Sequence, residues 1–148
     1  MDSFVSIYEH LISSYGSLGL LLLSFLAATL LPFSSEVILL TGIKTGISQE
    51  SALIAASIGN CLGCLLNYGL GFLFADKTQA KLNSSRAGRL ALKWMREYGT
   101  WSLLGSWLPV IGDPLTIVGG LLRVRLQWFV LIVFTLRIFR YVLIISAF

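Results

Sequence analysis

The stretch Ser106–Leu115 reads SWLPVIGDPL, and it lies at the centre of a long apolar run while holding two prolines, a glycine and an aspartate. Proline inside a helix removes a backbone hydrogen bond and clashes with the preceding turn, at a cost of about 3 kcal/mol or more. A charge at the bilayer centre adds roughly 2.5–3.5 kcal/mol on the insertion scale. A second stretch carries the same penalties. LPFSSEVILLTG (Leu31–Gly42) and LPVIGDPLTIVG (Leu108–Gly119) both open on Leu-Pro, with an acid four residues after the proline, Glu36 or Asp113. A glycine follows each proline by ten, Gly42 or Gly119. The offset is 77 in a chain of 148 residues, which points to a duplicated unit.

The rest of the chain defines the medium. It is 56% hydrophobic and 12% charged, against about a quarter charged in a typical soluble domain. The apolar residues gather into Ser17–Ile43, Ser51–Ala75, Trp101–Leu122 and Leu126–Phe148. Each reaches the roughly 20 residues that cross a hydrocarbon core, so this is an integral membrane protein. Non-helical backbone survives at membrane depth only where protein buries it or where it lines a wet cavity. The expected fold is therefore all-α, an inverted repeat of two re-entrant hairpins, each followed by a transmembrane helix. The tips hold Pro32, Pro109, Gly112 and Pro114 with the two acids; Gly42, Gly119 and Gly120 trail behind them. Legs such as Trp101–Leu108 and Leu115–Leu122 reach roughly 12 Å at helical rise.

Charge placement bears on the same topology. Between Asp76 and Gly99 lie Lys77, Lys81, Arg86, Arg89, Lys93 and Arg96 against Asp76 and Glu97. The positive-inside rule makes this segment cytoplasmic. A full crossing by Trp101–Leu122 would place Arg123 and Arg125 outside, whereas a hairpin returns them to the cytoplasmic face. The single membrane domain then divides into residues 1–75, a basic segment 76–99, and residues 100–148. From about Ser85 the basic segment reads as an amphipathic helix, with Arg86, Arg89, Lys93 and Arg96 on one side. Leu90, Ala91, Trp94, Met95 and Tyr98 fall on the other, a pattern suited to an anionic headgroup layer.

The last run adds Arg137 and Arg140, three residues apart on one helix face. With Glu36 and Asp113 the formal sum inside the membrane is zero, which predicts acid–arginine pairing and a polar chamber where the broken runs converge. At 4 Å and an effective dielectric of 20, each pair attracts by roughly 4 kcal/mol. Arginine forks recognise phosphate bidentately, and carboxylates withdrawn from water can take up and release protons. Asn60 aligns with Arg137 under the 77-residue offset and joins Glu36, Asp113, Arg137 and Arg140 as a candidate substrate or proton site. Gly59 and Gly63 form a G-x-x-x-G that lets helix backbones approach closely; Asn60, Asn67 and Gly71 recur on a neighbouring stripe.

Other signals carry less. Cys61 and Cys64 form a C-x-x-C without further ligands, so packing is expected there and no metal or cofactor. Met1–Leu23 holds no Lys or Arg, unlike a signal peptide; Phe4, Ile7, Tyr8, Leu11 and Ile12 suggest a short amphipathic lead-in helix. No nucleophile–base pair is evident, so an enzyme is not expected. The expected partners are membrane lipids, anionic or polyprenyl phosphate, and protons; nucleic acid is not among them, and a homo-oligomer is allowed. The competing class is a non-transporting membrane scaffold or envelope-integrity protein whose buried ion pairs are structural. A small drug exporter is a third, disfavoured by the paired tips and internal arginines.

The tips LPFSSE and WLPVIGDP, the Gly119–Gly120 pair and the arginine-bearing last helix resemble the DedA family, whose eukaryotic relatives share the VTT domain of SNARE-associated Golgi proteins. The likeness is closest to the short YqaA-like branch. The resemblance implies two opposed re-entrant hairpins, membrane-embedded acids and arginines, and localisation to a bacterial inner membrane. It also implies lipid translocation, as in undecaprenyl phosphate recycling, or proton-dependent transport. On that pattern Glu36, Asp113, Arg137 and Arg140 carry over. Ser106 and Trp107 stand where many relatives hold Arg-Phe, so that arginine's role falls to Arg137 and Arg140 or is absent.

Overall fold

The structure, a computed structural model, describes residues 2–29, 35–108 and 110–147. The tip residues Pro32 and Pro109 lie outside them. Every described element is a helix: α1 Asp2–Thr29, α2 Ser35–Lys44, α3 Gln49–Leu73, α4 Ala75–Ser84, α5 Arg86–Tyr98, a 3-10 helix Gly99–Trp107, α6 Gly112–Leu121 and α7 Leu126–Ala147. Segments 6–29, 49–73 and 126–147 are long and apolar enough to cross a membrane. The first of these is interrupted. Gly16 has φ 55 and ψ −134, a region that essentially only glycine enters. Residues 17–29 therefore form a separate rod of about 20 Å, short of a core about 30 Å thick.

Element boundaries follow the sequence offset. Helices α2 and α6 start at 35 and 112 and end at 44 and 121, 77 apart at both ends; α3 and α7 start at 49 and 126, again 77 apart. The turns behind α2 and α6 match too. In the first, Gly46 N–H bonds to Ile43 O and Ile47 N–H to Gly42 O; in the second, Arg123 N–H bonds to Gly120 O and Val124 N–H to Gly119 O. Each closes the helix on a left-handed residue, Gly46 or Arg123.

The helices gather into two compact units, Met1–Gly63 with Ile138–Phe148, and Cys64–Arg137. In the first unit α2 returns along α1, with Gly42 against Leu20; a Cβ on Gly42 would lie 2.9 Å from the Leu20 side chain. Helix α3 crosses α1 through Gly59 and Gly63, where added Cβ atoms would meet Leu21 O at 2.1 Å and Ala28 Cβ at 2.6 Å. The G-x-x-x-G is thus a backbone-to-backbone contact, as its spacing predicts. Tyr8, Leu20, Ile38, Leu39, Ala56 and Tyr141 are among the side chains buried there.

In the second unit the 3-10 helix and α6 run antiparallel. Gly105 faces Leu115, and Gly119 faces Leu103. A Cβ on Gly120 would lie 1.9 Å from Tyr68 O, and one on Gly71 would lie 2.0 Å from Ile117 O, so α3 and α6 cross with no side chain between them. Leu82, Leu103, Leu115, Val118, Phe129 and Val133 fill the interior.

One local expectation is amended and another is extended. The leg Trp101–Leu108 is not an α-helix: its 3-10 winding rises about 2.0 Å per residue, so it reaches roughly 16–18 Å rather than 12. The basic segment holds two helices, α4 and α5, separated at Ser85, whose hydroxyl accepts from Gly88 N–H at 3.0 Å and so caps α5.

Candidate functional site: two acid–arginine pairs

Glu36 and Asp113 occupy the same place in their helices, the second residue of a ten-residue helix that follows the break. There the helix dipole favours negative charge. Pro114 sits one residue later, within the first turn, where a missing N–H costs nothing. Each carboxylate thus lies on a helix N-terminus within otherwise apolar sequence.

Each acid has an arginine from α7 within its own unit. Arg137 Nη2 donates to Asp113 Oδ1 at 2.5 Å, and Arg140 Nη2 donates to Glu36 Oε1. The pairing expected from the charge count is present. Within each pair the guanidinium is the more enclosed partner: Arg137 and Arg140 side chains are 6% and 13% exposed, against 36% for Asp113 and 23% for Glu36. The acid is the more exposed end of each pair.

Asp113 has a polar frame that sequence reading did not find. Thr116 Oγ1 donates to Asp113 O at 2.6 Å, and buried Asn67 Nδ2 donates to Thr116 Oγ1 at 3.3 Å. Gly112 supplies clearance, since a Cβ there would lie 2.5 Å from Ser106 O and 3.2 Å from Arg137 Nη2. Ser106, where many relatives are expected to hold arginine, is fully buried beside this site. The available signal for the frame was Asn67 on the stripe with Gly71; its hydroxyl acceptor, 49 residues away, leaves no pattern in sequence. Asn60 is fully buried in the first unit, with Glu36 and Arg140.

The basic helix α5 presents three faces. Gly88, Ala91, Leu92 and Met95 are buried in the second unit; Leu92 had no place in the sequence reading. Arg86, Arg89, Lys93 and Arg96 are exposed, with Arg89 donating to Asn83 O at 2.8 Å and Lys93 3.8 Å from Glu97. Leu90 and Tyr98 are exposed between these faces, while Trp94 is half-buried across Gly105. Cys61 and Cys64 are buried.

Residues 31–148 match the VTT domain, and the chain belongs to that family, the DedA family. It is 40% identical over 102 residues to the inner membrane protein YqaA of Escherichia coli, covering 68% of each chain. It is also 34% identical over 128 residues to an uncharacterised protein of Haemophilus influenzae, 80% of this chain and 78% of that one. The membrane protein YbfM of Bacillus subtilis is 28% identical over 137 residues, 85% and 84% of the two chains. No solved structure matches.

Proposed function

We propose that the chain is a proton-coupled transporter or lipid flippase of the inner membrane, moving an anionic, phosphate-bearing lipid or small anion. The observation that carries this reading is the pairing of each arginine with a more exposed carboxylate at a helix start. Charge balance supplies the mechanism. While Asp113 is ionised, it occupies the Arg137 fork and the pair is neutral. When a proton neutralises Asp113, Arg137 is left as a buried cation, and its cheapest partner is an incoming anion that accepts from the same N–H groups. Loss of the proton restores the internal pair and expels the anion. Proton and anion therefore load and leave together, one charge of each per pair. Arg140 and Glu36 do the same in their unit.

The hairpin reading belongs to this proposal. Support comes from the short rods 17–29 and 35–44 lying side by side, the antiparallel 3-10 helix and α6, and the 77-residue coincidence of boundaries. Two re-entrant hairpins with α3 and α7 as crossings place residues 76–99 in the cytoplasm, with the cationic face of α5 on anionic headgroups. Cysteine labelling at Arg123 tests the topology: modification from the outer face overturns the hairpins.

The functional test is reconstitution in liposomes containing labelled phosphatidylglycerol or, as control, phosphatidylcholine. Movement of the anionic lipid should rise when an inward pH gradient is imposed, and each transfer should carry protons, read by a lumenal pH dye. Transfer indifferent to the gradient, with no proton movement, would sink the coupling.

A further inference from the structure

We propose that the turn joining α6 to α7 is a second anion site, in which Arg123 and Arg125 bind a phosphate group. It does not rest on the transport reading and uses none of its side chains.

The argument begins with the backbone. Arg123 is left-handed at φ 53, the only described residue other than glycine with positive φ. A side chain there crowds the following carbonyl, which is why glycine usually fills this position after a helix. The matching turn of the first unit shows what the fold itself selects. It has the same pair of closing hydrogen bonds, and Gly46, 77 residues earlier, takes the left-handed place at φ 98. The turn needs no arginine to form. A role as a topology signal does not explain the placement either, because a basic residue at any neighbouring position would serve the positive-inside rule without backbone strain.

The surroundings indicate what the side chain does. Tyr68 Oη donates to Val124 O at 2.6 Å and pins the turn. The Arg123 guanidinium lies 5.1 Å above the Phe72 ring centroid, a cation–π contact that steadies it. A cavity of about 500 Å³ opens here, lined by Gly99, Thr100, Arg123, Val124, Arg125 and Trp128 among others. Its size suits a headgroup or small anion. Arg137 and Arg140 are each held by a carboxylate, but among the described residues Arg123 and Arg125 have no ion-pair partner. Two exposed guanidinium forks two residues apart, with a hydroxyl at Thr100, offer the donors a phosphate oxygen set requires. Exposed Trp128 is the kind of side chain that settles at the level of lipid headgroups. The phosphate can arrive on a lipid or as a free ion.

The test uses the full chain purified in a neutral detergent. Thermal unfolding is followed on addition of phosphatidylglycerol, phosphatidylcholine, or sodium phosphate matched in ionic strength by sodium chloride. Phosphatidylglycerol, sodium phosphate, or both should raise the midpoint of the wild type. An effect of the lipid alone assigns the site to headgroups, and an equal effect of inorganic phosphate assigns it to the free ion. Arg123→Gly should unfold at the same or a higher temperature without ligand, because strain is relieved. Its apparent affinity should nonetheless fall about tenfold, the loss of one charge-assisted contact. Arg125→Gln should lose affinity similarly with no gain in stability, and it keeps the test open should Arg123→Gly fold poorly. A wild-type midpoint that neither phosphate source raises, or a response undiminished in both variants, would overturn the proposal.

Discussion

The two units answer one problem, holding an acid on a helix start beside an arginine, with different side chains. Around Asp113 the frame is polar: Asn67 donates to Thr116, and Thr116 donates to the Asp113 carbonyl. In the other unit the positions 77 residues away from Thr116 and Asn67 are Leu39 and Ile144, which pack in an apolar core. The arginines differ as well. Asp113 takes its guanidinium from Arg137, whose counterpart 77 residues earlier is Asn60; Glu36 takes its own from Arg140, whose counterpart is Gly63. A repeated backbone thus carries pairs that are not repeated. The position of each acid is common to both units, while its arginine and frame are particular to each.

The largest contrast to break is in the helix crossings. Gly120→Ala drives a Cβ to 1.9 Å from backbone, at Tyr68 O, whereas Gly42→Ala meets only the end of the Leu20 side chain at 2.9 Å. The first should cost about 3 kcal/mol or more and the second about 1 kcal/mol, read by thermal unfolding in detergent. Equal costs would mean that the α3–α6 approach is looser than described.

Next come the pairs. Removing one partner of a buried pair strands the other, and that stranded charge sets the cost. Asp113→Asn strands Arg137, the most enclosed of the four, and should cost about 3 kcal/mol. Glu36→Gln strands the more open Arg140 and should cost less. The order should invert for the arginines, since Arg140→Gln leaves Glu36, more enclosed than the Asp113 left by Arg137→Gln. Denaturation of the four single variants checks the order.

The smallest effect sharpens the comparison most. Asn67→Ile alone should cost about 1 kcal/mol by removing a buried donor from its acceptor. Asn67→Ile combined with Thr116→Leu reproduces the residues of the other unit and should come close to neutral. A double variant costing the sum of the two single changes would show that the polar frame cannot be exchanged for the apolar one.

Much of this was legible in the chain. The Leu-Pro-to-acid pattern located both acids, and the 77-residue offset fell on the starts of α2 and α6. Charge counting anticipated the pairs. Missed was a second parallel, Tyr15-Gly16 and Tyr98-Gly99, each followed by Ser or Thr. Gly16 and Gly99 have nearly the same backbone, φ 55, ψ −134 and φ 56, ψ −139, and each interrupts or ends an α-helix. Their offset is 83 rather than 77, so six fewer residues connect Gly99 to its proline. The 3-10 winding of Gly99–Trp107 stretches those that remain at about 2.0 Å per residue, which restores about half of the lost length. An offset search at 77 cannot see that compensation, and periodicity does not distinguish a 3-10 leg from an α-helical one. The partner of Asn67 was hidden for another reason: one hydroxyl on a distant helix carries no local pattern.

The most direct measurement is anionic lipid transfer by the double variant Glu36→Gln, Asp113→Asn in liposomes, compared with wild type from acidic to neutral pH. With neither acid able to exchange a proton, transfer should no longer respond to pH or to an imposed gradient. Transfer equal to wild type at every pH, with the same gradient response, would contradict the account.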